Sequence, residues 1–202
     1  MFFSFDGIDG AGKSTQMDRF CHWLEDVKGK QVVQCREPGG TELGESIRDL
    51  LLNQKSIRLD LEAELFLFMA SRAQLVNEVI RPALAEGKVV VCDRFQMASV
   101  VYQGHAGGLE PDMIRKIGEL AVGGTCPDMT FVFQLDPEIA AQRVGDQTDR
   151  IESRSDNFLQ QVADGFQKEI EISNEPVTAI DATKPIADIE LEIRAVVEPM
   201  LV

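Results

Sequence analysis

Short runs of apolar residues alternate along the chain with longer segments in which apolar residues recur at the helical period. The runs are too short for helices, and their β-branched and aromatic residues favour buried strands. The segments between them have the length and spacing of helices that pack one face against a sheet. The predicted strands are residues 2–5, 31–36, 88–92, 129–135 and 177–180. The predicted helices are residues 13–28, 41–52, 59–86, 110–122, 138–143, a segment that ends near 172, and residues 186–200.

This alternation is typical of parallel βαβ units, in which helices cover both faces of the sheet. We therefore predict an α/β fold of three layers around a five-stranded parallel sheet. The longest predicted helix contains Pro82, which should kink it because the proline removes the hydrogen bond to the Glu78 carbonyl. The same helix is apolar nearly all round, which predicts burial on nearly every side.

Length and composition favour one compact domain. The chain has 202 residues, of which 44% are hydrophobic, and no stretch rich in proline, serine and glycine suggests a linker. We expect a single domain over residues 1–202. The sequence shows neither a basic leader nor an apolar run of 18 residues, so we expect a soluble, cytoplasmic protein with no membrane partner. The four cysteines have no CxxC or metal-binding spacing, and we assign them no chemistry.

The overall charge limits the possible partners. The net charge is −14, which argues against a nucleic acid polymer because such polymers are bound by basic surfaces. Small anions are not excluded, since exposed charges more than about 8 Å away are largely screened. Arginines and backbone amides that bind a nucleotide should therefore be clustered locally.

The most specific motif lies between the first predicted strand and the first predicted helix. Gly7, Gly12, Lys13 and Ser14 fit the pattern G-x-x-x-x-G-K-[ST] of a phosphate-binding loop. Glycines let consecutive N–H groups point at phosphate oxygens, and the next helix adds its positive end. In such loops the lysine reaches the β and γ phosphates of ATP, and the hydroxyl faces Mg²⁺. The predicted ATP-binding loop comprises Gly7, Ile8, Asp9, Gly10, Ala11, Gly12, Lys13, Ser14 and Thr15.

Polar residues follow the other predicted strands, and ligands of parallel sheets bind beyond the carboxyl ends of the strands. Asp93 ends a valine-rich strand, where a carboxylate can hold Mg²⁺ or its water shell next to Ser14. An aspartate that only caps a turn is the alternative. Arg94, directly after it, would bind phosphate oxygens in a bidentate manner. The other polar residues predicted at this edge are Arg36, Glu37, Gln134, Asp136 and Asp181.

Two further segments are candidates for ligand contact. Phe68 and Arg72 are four residues apart and share one face of the long helix. A ring beside a planar guanidinium suits an aromatic base, although Phe68 taken alone is more often a core residue. Residues 145–155, here called the lid segment, are polar and rich in charge. They form either a solvated loop or a short mobile lid with arginine fingers.

These motifs resemble those of the bacterial-type thymidylate kinases. FDGIDGAGKSTQ is close to the phosphate loop of that family, and the string REPGGT at residues 36–41 is highly specific. Further similarity lies in FMASRAQLV at 68–76, DRF at 93–95, YQG at 102–104 and IDATKP at 180–185. The resemblance covers nearly the whole chain. It implies a P-loop NTPase fold and a kinase that converts dTMP and ATP to dTDP and ADP with Mg²⁺.

The resemblance implies roles around the base of dTMP. The residue that matches Phe68 stacks on thymine in that family, and the residue that matches Arg72 bonds a carbonyl of the base. Ser99 matches the family residue that contacts N3 of the base. Tyr102 matches the residue that excludes a 2′-hydroxyl, and Gln103 lies beside it in the sequence.

The resemblance also implies roles at the acceptor phosphate. Arg36 and Arg94 would hold this phosphate, Asp9 would lie near it and the sugar, and Pro38 would lie on the same wall. The residues expected to act in catalysis are Lys13, Asp9, Arg94 and Arg150. Family members pair through helices of the kind predicted at 59–86, so we expect a homodimer.

The family places its transition-state arginine either in the phosphate loop or in the lid. In family members whose transition-state charge comes from the phosphate loop, a basic residue stands at the position that Gly10 occupies here. The lid segment of this chain should therefore supply that charge. Arg143 should lie at the hinge near adenine, with Ala182 also flanking the adenine. Arg154 should already belong to the next helix. Arg150 is therefore the expected arginine finger.

Some residues depart from the family pattern, and two other functions stay open. Asp6 stands where glutamate is usual, Gln134 where aspartate is usual, and Ala163 where an arginine is expected. Another nucleotide or nucleoside kinase of the same fold is one alternative. A non-catalytic nucleotide-binding relative is the other, and it would fit the lid segment's few arginines. A GTPase is disfavoured because the sequence has no N-K-x-D string.

Overall fold

Five parallel strands form one sheet in the computed structural model, which describes residues 1–54, 56–144, 151 and 157–201. Except for residue 151, the lid segment lies outside the described residues, and so do Arg150 and Arg154. The strands are β1 (Phe2–Gly7), β2 (Val32–Arg36), β3 (Val89–Asp93), β4 (Met129–Gln134) and β5 (Val177–Asp181). Their order in the sheet is β2-β3-β1-β4-β5, which puts β1 and its phosphate loop at the centre. The predicted five-stranded parallel sheet is thus confirmed.

Helices connect the strands and lie around the sheet. They are α1 (Lys13–His22), α2 (Glu42–Leu52), α3 (Leu61–Leu75), α4 (Arg81–Ala85), α5 (Gln96–Ser99), α6 (Pro111–Val122), α7 (Pro137–Val144), α8 (Phe158–Ile172) and α9 (Ile186–Val197). Turns of π-helix extend α1 over Trp23–Val27, α3 over Val76–Ile80 and α5 over Val100–His105. Within the described part of the chain, no helix has the length and apolar character needed to cross a membrane.

The long predicted helix contains one irregular turn. The N–H of Arg81 donates to the carbonyl of Val76, five residues back, so the helix widens immediately before Pro82. A proline has no N–H with which to continue the regular ladder, and a wider turn is one way to accommodate it.

The prediction that this helix is buried on nearly every side is wrong for the single chain. Leu65 and Met69 are buried, but the side chain of Phe66 is 58% exposed. Only one stripe of α3 faces the core, and Phe66 lies outside that stripe.

The helix at residues 96–105 is not predicted by the sequence pattern. Its C-terminal part, Val100–His105, is buried through residue 104 and contains β-branched residues, an aromatic residue and a glycine. A helix buried on all sides shows no apolar-polar period, and these residue types have low helix propensity. Tertiary packing, rather than local helix propensity, therefore makes these residues helical.

Aromatic residues fill the space on both faces of the sheet. Phe3 and Phe5 point to one face and pack against Phe20 of α1. Phe2 points to the other face and contacts Phe95 edge to face. This alternation follows the two-residue period of a strand, and each fully buried phenylalanine contributes roughly 1.5–3 kcal/mol. Burial on both faces holds β1 rigidly, so the loop that follows it has a fixed starting point.

Candidate active site

The phosphate loop leads from β1 to α1 and packs closely against α7. Gly7 and Gly10 have φ values of +133° and +80°. A Cβ at Gly7 would lie 2.5 Å from the Phe133 carbonyl oxygen, and one at Gly10 would lie 2.6 Å from that of Ala140. Both contacts are too short for a carbon atom and involve backbone, which cannot easily move. Glycine is therefore required at both positions by conformation and by space.

Lys13 is buried at the start of α1, with its ammonium inside the loop. Nζ donates to the carbonyl oxygens of Gly7 at 3.1 Å and Ile8 at 2.8 Å, and it lies 3.4 Å from Asp9 Oδ1. Burial lowers the pKa of Lys13 to about 8, and the charge of Arg94 adds to this effect. The side chain is still mostly protonated at pH 7, and phosphate oxygens would stabilise its charge further.

Arg94 follows β3 directly and reaches across to the phosphate loop. It has a φ of +67° and is, among the described residues, the one non-glycine residue with a positive φ. Nη1 donates to the Gly7 carbonyl oxygen at 3.0 Å, and Nη2 forms an ion pair with Asp9. Its guanidinium carbon lies 4.9 Å from the centroid of the Tyr102 ring. Such a backbone conformation costs about 1–3 kcal/mol and is typical of functional sites.

Asp93 and Ser14 line the same cavity beside the phosphate loop. Oδ1 of Asp93 is buried and has no hydrogen-bond partner among the described residues. Over the same residues, no cluster of three or more histidine, cysteine, aspartate or glutamate side chains could enclose a metal. One carboxylate and one hydroxyl fit Mg²⁺, which usually keeps several waters and takes its other ligands from substrate phosphates.

A second cavity, of about 210 Å³, is lined by Asp9 of the loop and shares Arg36 and Asp93 with the first cavity. The phosphate loop, the segment after β2, α3 and residues 94–103 meet there, because all but α3 lie at the carboxyl edge of the sheet. All of the predicted acceptor-binding residues line this cavity: Asp9, Arg36, Pro38, Phe68, Arg72, Arg94, Ser99, Tyr102 and Gln103.

The cavity is also lined by residues that received no individual site role from the sequence. They are Glu37, Arg48, Leu52, Phe95, Ala98 and Ile151. Arg48 and Leu52 are four residues apart on α2, a spacing that places both on one helix face. Glu37 and Phe95 belong to the strings REPGGT and DRF, and Ile151 belongs to the lid segment. For Ala98, the sequence carries no comparable signal.

Arg72 is only 1% exposed and is held by several bonds at the cavity wall. Nε donates to Glu37 Oε2 at 2.6 Å, and Nη2 donates to the Phe95 carbonyl oxygen at 3.1 Å and to Ser99 Oγ at 2.9 Å. Nη1 lies 3.3 Å from the Met69 sulfur. Burial raises the pKa of the Glu37 carboxyl, and the Arg72 guanidinium opposes that increase. Together these partners fix the plane of the guanidinium.

The other predicted acceptor residues differ in exposure. Ser99, Tyr102 and Gln103 are buried, and Phe68 is partly buried against the core. Arg36 is more exposed, with Nη2 at 3.0 Å from Glu45 Oε2.

Except for Asp9, the residues predicted around ATP do not line the second cavity. Arg143 of α7 donates from Nη1 to the Gly10 carbonyl oxygen at 3.2 Å. Ala182 is buried after β5, and its N–H donates to the Gln134 carbonyl oxygen at 3.0 Å. Thr15 is exposed in the first turn of α1. The structure therefore brings Arg143 onto the phosphate loop.

The parallel sheet and the loop at its centre define a P-loop nucleotide-binding protein of the α/β class. A sequence model of one family, described as Thymidylate kinase, matches residues 5–193. The chain belongs to the thymidylate kinase family.

Individual relatives agree with this assignment. The chain is 42% identical to a thymidylate kinase of Symbiobacterium thermophilum over 202 residues, which cover all of the chain and 94% of that protein. It is 44% identical to one of an Exiguobacterium species over 195 residues, which cover 96% of the chain and 92% of the relative. The crystal structure of thymidylate kinase from Ehrlichia chaffeensis superposes with a TM-score of 0.79 at 32% identity and 98% coverage of both chains.

Proposed function

We infer that the protein transfers the γ-phosphoryl group of ATP to dTMP and releases dTDP and ADP. The observation that carries this inference is the match to the family over nearly the whole chain. ADP release, measured in a coupled assay with dTMP, dUMP, CMP, GMP and thymidine as acceptors, tests it. The value of kcat/KM should be highest for dTMP. A preference for another acceptor would indicate a different kinase, and ATP binding without turnover would indicate a non-catalytic relative.

On the donor side, the loop amides and Lys13 would cradle the β and γ phosphates of ATP. The contact between Arg143 and the Gly10 carbonyl supports a place for Arg143 on the ATP side of the loop. Ala182 would line the adenine site. Ser14 and Asp93 would hold Mg²⁺, which would supply positive charge that offsets the charge of the phosphates.

On the acceptor side, the second cavity would take dTMP. Arg94 and Arg36 would bind its phosphate, with Asp9 holding Arg94 in place through their ion pair. Phe68 would stack on the base, and Arg72 would bond its carbonyl. Tyr102, buried beside Arg94, would close the cavity to a 2′-hydroxyl.

The reaction needs positioning and charge stabilisation rather than a general base. A phosphate monoester with a second pKa near 6 is mostly dianionic at pH 7, so the acceptor is already a nucleophile. Lys13 and Arg94 both contact Oδ1 of Asp9 and would bring positive charge to the place where two anions must meet. Such fixed charges offset the repulsion and stabilise the transferring group.

Arg150→Ala is expected to lower kcat by at least about tenfold with little change in ATP affinity. Gly10 leaves no room for a basic side chain in the loop, which supports the lid segment as the source of the remaining charge. A donor that follows developing charge acts on turnover more than on ground-state binding. Steady-state kinetics with ATP varied measure both quantities. If Arg154→Ala or Arg143→Ala abolished turnover while Arg150→Ala did not, the choice of arginine would be wrong.

A homodimer is expected from the exposed apolar residues on three neighbouring helices. Leu43 on α2, Phe66 on α3 and Leu120 on α6 are 49%, 58% and 85% exposed. Because α3 packs against both α2 and α6, these exposed residues lie on neighbouring helices, whose outer side we expect a partner to cover. Light scattering at micromolar concentration should give about twice the chain mass of 22.4 kDa.

Phe66→Glu should shift the dimer toward the mass of one chain, because it places a charge in the proposed interface. Leu191→Glu is the matched control, since Leu191 is 62% exposed on α9 and should leave the mass unchanged. A wild-type mass near 22.4 kDa would contradict the proposed homodimer.

A further inference from the structure

Helix α3 carries a buried carboxylate that does not line the second cavity but bonds a side chain that does. Glu64 and Gln103 are each 1% exposed. Gln103 Nε2 donates to Glu64 Oε1 at 3.0 Å. Gln103 lines the cavity and Glu64 does not. The amide of Gln103 thus connects Glu64 to the cavity.

The contact with Glu64 fixes which end of the amide faces the carboxylate. The oxygen and nitrogen of a glutamine amide have nearly the same shape, so the surrounding hydrogen bonds determine its orientation. An ionised carboxylate only accepts hydrogen bonds, which holds the NH₂ group toward Glu64. The amide oxygen, an acceptor, is then the atom left for the cavity.

Arg72 presents the opposite polarity on the same cavity wall. A guanidinium has donors and no acceptor. Its Nε and Nη2 are bound to Glu37, Phe95 and Ser99, and these bonds hold the group in one plane. The wall thus combines an acceptor at Gln103 with donors at Arg72.

We propose that Glu64 is a positioning residue that fixes the amide polarity of Gln103, so that the cavity selects pyrimidines with a ring N–H beside a carbonyl. This inference rests on the proposed function, in which the base of dTMP occupies the cavity. Thymine offers a donor at N3 and an acceptor at O4, which complement Gln103 and Arg72. Ser99, which the family resemblance puts near N3, already accepts a hydrogen bond from Arg72 Nη2. Cytosine offers an acceptor at N3, which would face the acceptor of Gln103, and donors at N4, which would face the donors of Arg72. Unpaired buried polar groups make such mismatches costly.

Glu64→Gln removes this constraint, because two facing amides pair equally well in either orientation. The ratio of kcat/KM for dTMP to that for dCMP should fall at least about tenfold, mainly through KM. Both acceptors are monophosphates on the same sugar, so a change in the charge of the cavity cancels in the ratio. A folded Glu64→Gln variant whose ratio stays within twofold of wild type would overturn the proposal.

The exchange of both side chains provides a rescue. In Glu64→Gln/Gln103→Glu, the new amide donates to the new carboxylate, whose other oxygen remains an acceptor for the cavity. The ratio should return toward the wild-type value. If Glu64→Gln does not fold, the double variant decides the question: a retained ratio supports fixed polarity, and a lost ratio overturns it.

Glu169→Gln is the matched control. Glu169 is 4% exposed and is bound by His105 and Arg115, and it does not line the cavity. This variant should keep the wild-type ratio even if its thermal unfolding midpoint falls. Equal losses for dTMP and dCMP in both single variants would show a structural role only and would overturn the proposal. Wild-type protein that does not favour dTMP over dCMP would instead contradict the proposed function.

Discussion

Lys13→Ala is expected to lower kcat by roughly 10²–10³-fold while the protein stays folded. The substitution removes positive charge from the place where the β and γ phosphates would lie, and the loss of one such group typically has an effect of this size. Folding should survive, since Nζ contacts loop carbonyl oxygens and Asp9 rather than apolar core residues. ADP release at saturating dTMP measures the effect.

Lys168→Ala is the matched control for this variant, because Lys168 is an exposed lysine on α8. It should leave turnover unchanged. Thermal unfolding of both variants should be close to wild type. Turnover near the wild-type rate in Lys13→Ala would contradict the placement of the donor phosphates in this loop.

Arg94→Ala should lower kcat/KM for dTMP by about 10²–10³-fold. Like Lys13→Ala, it is expected to have one of the largest effects. Arg94 donates to the Gly7 carbonyl, pairs with Asp9 and lies over the Tyr102 ring. Its removal would therefore take away positive charge and loosen the side chains of the proposed acceptor site. Arg94→Lys should restore only part of the loss, because an ammonium cannot bind phosphate in a bidentate manner.

Arg81→Ala controls for the general loss of an arginine that bonds backbone carbonyls. Arg81 donates to the Val122 and Gly123 carbonyl oxygens and lines neither of the two cavities at the phosphate loop. Its kinetics with dTMP should match wild type. An Arg94→Ala enzyme with unchanged kcat/KM would place the acceptor phosphate elsewhere.

The sheet and the phosphate loop are predictable from sequence because each depends on local patterns. Five apolar runs alternate with helical segments, and this alternation fixes a parallel sheet before any contact is known. The rule that ligands bind at the carboxyl ends of parallel strands then brings residues as distant as Asp9 and Arg94 to one place. The family resemblance adds Ser99, Tyr102 and Gln103, which line the same cavity although no local pattern predicts their helix.

The features that the sequence does not predict are those whose structure or exposure is determined by tertiary packing. Residues 96–105 are helical although their buried side chains show no period. Glu64 looks like an ordinary acidic residue in a first helical turn, and only its burial against Gln103 distinguishes it. Phe66 shows the reverse case, an apolar residue in an apolar helix that faces outward.

The tight packing of Gly10 on α7 constrains how this enzyme can change during evolution. A Cβ at Gly10 would lie 2.6 Å from the Ala140 carbonyl oxygen, so any side chain at this position would collide with backbone. A single substitution of Gly10 by a basic residue should therefore require the backbone of α7 to shift. If the lid segment supplies the transition-state charge, as proposed, moving that charge into the loop takes a change in α7 as well as a change at residue 10.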